Sequence, residues 1–154
     1  MGLKVAVKRG WLVAALALSA LSAQAAGGSL KGLIDAVVRN GPASEIPAHL
    51  AVVLGVSTVE QSIPVKQAVV RDGARVRTFN VSTTKPEDVV IMSYDEGSRS
   101  MKAYFLSAAG ELRKAVSYQA GAPAIIRPLS EARRDFADEM KFWMDFKQKA
   151  ATAN

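Results

Sequence analysis

"PVKQAVVRDGARVRTFNV", Pro64 to Val81, holds the pattern on which the fold turns. Two runs of alternating apolar and polar residues flank Asp72-Gly73. Asp-Gly tolerates the positive φ angles of a two-residue hairpin turn, so the stretch is predicted to form two antiparallel strands. With Asp72 and Gly73 as the turn, Val70 opposes Arg75, Ala68 opposes Arg77 and Lys66 opposes Phe79. That pairing places Lys66, Arg75, Arg77 and Phe79 on one face.

Downstream the period-two pattern continues. "VVIMSY", Val89 to Tyr94, and "SMKAYFL", Ser100 to Leu106, flank Asp95-Glu96-Gly97-Ser98-Arg99, a second hairpin signal. Ala109-Gly110 then leads into "ELRKAVSYQ", Glu111 to Gln119. Short links between successive strands imply an antiparallel meander of about five strands. Symmetric closure of the second hairpin sets Val89 against Phe105, Ile91 against Ala103 and Ser93 against Met101, with Leu112 and Val116 on the same side. The other side, with Tyr94, Lys102, Tyr104 and Arg113, is then the wetter one. One apolar face calls for helices on that face alone, an α+β arrangement.

Helical signals lie on both sides of the meander. Ser29 can cap a helix whose Leu30, Leu33, Ile34, Val37 and Val38 fall at i, i+3, i+4, i+7 and i+8. Asn40-Gly41-Pro42 stops it. "IPAHLAVVLG", Ile46 to Gly55, is apolar all round; Pro47 in the first turn and Gly55 at the end favour a short buried helix over a strand. After the extended stretch Gln119 to Leu129, Ser130 caps a C-terminal helix with Glu131 at its positive end. Ala132, Phe136, Met140, Trp143 and Met144 form its apolar stripe, which is expected to pack on one sheet face. Phe142 and Phe146 fall outside that stripe, four apart, beside Asp135 and Glu139. They are either covered by the N-terminal helix or the Ile125-Ile126 connection, or kept for a partner.

The N-terminus has a different character. Lys4, Lys8 and Arg9 precede the apolar run Trp11 to Leu21, and Ala23-Gln24-Ala25 gives a small-x-small site. This order is that of a secretory signal peptide, so cleavage after Ala25 is expected, leaving 26–154 as one α+β domain without a transmembrane segment. The expected location is periplasmic or secreted. The chain has no Cys, so the domain must be stable by packing alone. Lys4, Lys8 and Arg9 account for three of the six net positive charges, so the remainder carries +3. So mild an excess argues against a nucleic-acid partner.

Catalytic signals are weak. His49 is the single histidine and sits in an apolar run, where packing or hydrogen bonding is its expected role. Ser57 lacks the second glycine of a nucleophile elbow, since Val59 stands there. The pairs Glu87-Asp88, Asp95-Glu96 and Asp138-Glu139 read as solvated charge in turns or on a helix's polar side. Asn80-Val81-Ser82 matches a glycosylation acceptor but falls within a predicted strand. A hydrolase using Ser57, Asp135 or Glu139 therefore ranks last, and no catalytic, metal or cofactor-binding residue is assigned.

Binding is the remaining class. The leading expectation is a non-enzymatic envelope or secreted module that binds another protein, or an anionic surface, through Phe142, Phe146, Lys66, Arg75, Arg77 and Phe79. The alternative is a carrier of small apolar ligands or lipids, with its cavity between the sheet and the C-terminal helix.

Overall fold

The structure, a computed structural model, describes residues 30–84, 88–107 and 109–153. The expected signal segment 1–25, the Ser29 cap and Glu87 lie outside these residues. The elements are α1 (30–40), β1 (Ala43–Ile46), α2 (Ala48–Val53), β2 (Ile63–Asp72), β3 (Arg75–Ser82) and β4 (Val89–Asp95). They continue with β5 (Ser100–Leu106), β6 (Leu112–Gln119), β7 (Ile125–Arg127) and α3 (Leu129–Ala153). The strands form one antiparallel sheet in the order β1-β2-β3-β4-β5-β6-β7.

The five expected strands are β2 to β6. The sheet has seven because β1 and β7, of four and three residues, add to its edges. Both are too short to show a period-two pattern. Ile46 ends β1 and Pro47 precedes α2, so the apolar run of Ile46 to Gly55 divides between a strand end and a helix.

The first hairpin turns at Gly73-Ala74, with Asp72 paired to Arg75. Gly73 has φ +59° while Ala74 has an ordinary negative φ, the order of a turn with glycine at its first central position. The register therefore differs by two residues from the expected one, with Val70 opposite Arg77 and Ala68 opposite Phe79. A shift of two preserves the faces, so Lys66, Arg75, Arg77 and Phe79 do lie on one side of the sheet.

The second hairpin is shifted by one residue, and this changes more. Asp95 pairs with Ser100, and its Oδ1 accepts hydrogen bonds from the Gly97 and Ser98 amides at 2.9 and 3.1 Å. Arg99 closes the four-residue loop at φ +53°. Val89 thus faces Leu106 and Ile91 faces Tyr104, while Val90 faces Phe105 and Met92 faces Ala103. A one-residue slip exchanges the faces, so Tyr104 and Lys102 join the side expected to be apolar. On β6, a register irregularity opposite Phe105 and Leu106 separates Leu112 from Val116, which belong to different clusters.

Both faces of the sheet are apolar, and each has helical cover. Under α1 and α3 lie Phe79, Val81, Val89, Ile91, Tyr104 and Leu106, packed on Leu30, Leu33, Ile34, Val37, Ala132 and Trp143. Val38, expected in the α1 stripe, is exposed. On the opposite face Val65, Val90, Met92, Met101, Ala103 and Val116 pack against Ile46, Ala51 and Leu54, the last two from α2 and its end. Each large side chain buried in these layers contributes ~1.5–3 kcal/mol. No described helix is long and apolar enough to cross a membrane.

Candidate functional site

The face beneath α3 is filled. Trp143 is fully buried, with the rings of Phe142, Phe146 and Phe79 around it at centroid distances of 5.2, 5.4 and 5.6 Å, all edge-on. Phe142 and Phe146 are half-buried, and Lys147 beside them lies against Gly32 of α1. Ile125 and Ile126, the other expected cover, are exposed. Phe79 has no exposed surface, so it forms core, not a contact surface.

Of the α3 carboxylates expected to be solvated, Asp138 is exposed, but Glu139 and Asp135 turn toward the sheet. Glu139, 7% exposed, receives Arg77 Nε at 3.2 Å, and the Arg77 guanidinium lies 4.3 Å over the Phe142 ring. Asp135 Oδ2 accepts from Arg127 Nη2 at 2.7 Å and from Lys102 Nζ at 3.1 Å. These hydrogen bonds, Lys102 first and then Arg127, hold the Asp135 carboxyl below its usual range against the opposing effect of burial. Burial, and then the Asp135 charge, push the Tyr104 hydroxyl up to about 12. Burial works against the charge on Arg127, yet Asp135 raises its pKa overall. The sheet supplies cations at Arg77, Lys102 and Arg127, which is why α3 can turn acids toward it. Trp143 Nε1 and Arg127 Nη1 are buried with no hydrogen-bond partner among the described residues.

Of the expected basic surface, Lys66 is half-buried, Arg75 is exposed with Asp95 at 4.0 Å, and Arg77 is engaged by Glu139. They share a face but do not form one accessible cluster. His49, expected to pack or hydrogen-bond, is exposed on α2. The Ser57 hydroxyl donates to the Val59 carbonyl at 2.6 Å, a local turn with no base attached. Asn80 is fully buried: its Oδ1 accepts from Gln67 Nε2 at 2.7 Å and its Nδ2 donates to the Val90 carbonyl at 3.0 Å. No group of three or more His, Cys, Asp or Glu gathers as a metal-holding set among the described residues.

The α2 side is open by contrast. A cleft of about 600 Å³ runs beside the end of α2, lined by apolar Ile46, Val56, Ile63, Val65, Val90 and Phe105. Asn80, Ser57, Ser82 and Asp88 add polar groups, and Arg113 and Lys114 add two cations. Lys114 Nζ donates to the Leu54 carbonyl at 3.0 Å and lies 5.5 Å from the Phe105 ring centroid. The chain after α2 is shaped to this ammonium. Gly55 has φ +71°, and a Cβ there would come within 2.6 Å of Lys114 Nζ. A second cleft of about 340 Å³ on the same face is lined by Leu50, Val76, Met92, Tyr94, Met101 and Tyr118, among others.

The cavity expected between sheet and C-terminal helix is therefore occupied by Trp143 and its neighbours, and the clefts lie on the other face. Sequence reasoning missed Arg113 and Lys114. Their signal was two adjacent charges at the start of a strand that otherwise alternates. Comparison of the chain with protein-family models, with curated proteins and with solved structures found no match.

Proposed function

We propose that the chain is an exported, non-enzymatic binding protein that carries a small apolar or amphipathic molecule in the cleft beside α2. The observation that supports this reading is the cleft itself. Its volume of about 600 Å³ falls in the range of small-molecule sites, ~300–1,000 Å³, and its wall combines nine apolar residues with nine polar ones, as an amphipathic ligand requires. Export, to the periplasm or beyond the cell, rests on the charged, apolar and small-residue order of the first 25 residues. The protein-binding alternative has less support, because Phe142 and Phe146 pack edge-on against Trp143 and Arg77 is paired with Glu139.

Calorimetric titration with long-chain apolar and amphipathic molecules tests the carrier reading. Binding at one site that is lost when Val56→Trp fills the cleft is the expected result. Binding indifferent to Val56→Trp contradicts it.

A further inference from the structure

Two consecutive residues of a regular strand point to opposite faces, yet Arg113 and Lys114 both line the cleft. The irregularity of β6 explains this. Leu112 pairs with Leu106 and Lys114 pairs with Phe105, which leaves Arg113 as the extra residue of a bulge. Bulges of this kind re-aim a side chain, and they are over-represented beside functional sites.

The two cations are also unneutralised. Lys114 uses one of its three protons on the Leu54 carbonyl. Among the described residues neither Lys114 nor Arg113 forms an ion pair, although Asp88 lines the same cleft. On the other face of the sheet, Arg77, Lys102 and Arg127 all have carboxylate partners. A half-buried ammonium next to an apolar wall is stabilised by a counter-ion, and none is paired with it among the described residues.

Building on the carrier reading, we infer that the cleft selects a single-chain amphiphile with an anionic head, a carboxylate or a phosphate monoester. The chain lies along Val56, Ile63, Val90 and Phe105, and the head meets Arg113 and Lys114. Arg113 offers the planar, two-pronged donor set that both heads fit, and Lys114 adds a point charge.

The test is calorimetry at low salt with four monomeric probes of equal chain length: a fatty acid, the alkyl phosphate, the fatty alcohol and the alkyl trimethylammonium. The acid or the phosphate is expected to bind at least about tenfold more tightly than the alcohol, and the ammonium most weakly. Which of the two anions binds more tightly identifies the head. Arg113→Gln/Lys114→Gln should bring the anion-to-alcohol ratio close to one, and added salt should shrink it. Arg113→Gln alone, at an exposed bulge position, guards against loss of the α2 contact of Lys114 and should lower the ratio severalfold. An alcohol that binds as tightly as the anions, or a ratio unmoved by either variant, overturns the inference while leaving the carrier reading intact. Failure of every probe to bind overturns the carrier reading and this inference with it.

Discussion

Under α1 and α3 the sheet holds Trp143, Phe79 and Tyr104 at no more than 1% exposure, whereas beside α2 it leaves Tyr94, Phe105 and Tyr118 half-buried along two clefts. The strands are the same on both sides; the cover differs. α3 has 25 residues and α2 has 6. A long amphipathic helix can close a sheet face, while a single short one leaves gaps at both of its ends. The charges follow the same division. On the closed face α3 brings acids to Arg77, Lys102 and Arg127; on the open face Arg71 pairs with Glu96, but Arg113 and Lys114 have no carboxylate partner among the described residues.

Truncation should expose this contrast most strongly. Trp143→Ala removes the ring at the centre of an aromatic cluster and is expected to cost about 3–5 kcal/mol in denaturant unfolding. Val56→Ala, on the cleft wall, should cost about 1 kcal/mol or less. Similar losses at the two positions would remove the distinction between a closed and an open face.

The ionic contacts under α3 give the next effect. Glu139→Leu leaves the largely buried Arg77 guanidinium without its acid, and a loss of ~2 kcal/mol is expected. Arg77→Leu together with Glu139→Leu should recover most of it, because both charges then disappear. A double variant less stable than the single one would show that this pair contributes more than it costs to bury.

Titration should give the smallest effects, at the two ends of the pH scale. Because the Asp135 carboxyl is held below its ordinary value of 3.8, its contribution is complete above that value and is lost as the pH falls through the folded-state pKa. Asp135→Asn should flatten that part of the acid unfolding curve. Tyr104, held neutral by burial and by Asp135, works in the opposite sense. Its contribution is complete below pH 10.0 and is lost as the pH rises toward about 12. Ultraviolet titration should show a late phenol ionisation that Tyr104→Phe removes; an unchanged profile would place Tyr104 outside the core.

The sequence made the middle of the fold legible and left its edges obscure. Alternation and the Asp-Gly dipeptide identify β2 to β6, and a spacing of three and four identifies the Trp143 stripe. β1 and β7 carry too few residues for any period to register. The second hairpin was misjudged by one residue because its closure depends on the Asp95 side chain and on a positive φ at Arg99, neither of which alternation reports. That slip moved Tyr104 and Lys102 to the wrong face. It also concealed part of the reason Asp135 points inward, since Lys102, one of the two cations that receive it, lies on that face. The cleft was equally hidden, because it depends on a bulge in β6 and on how little of the sheet α2 covers.

The central claim is that ligand enters on the α2 side and that the α3 side remains shut. Methyl-resolved NMR during titration with a long-chain fatty acid tests it directly. Val56, Ile63, Val65 and Val90 should shift together while Leu33, Val81 and Ile91 stay in place. Shifts centred on Leu33, Val81 and Ile91, with the Val56 and Ile63 signals unmoved, would contradict it.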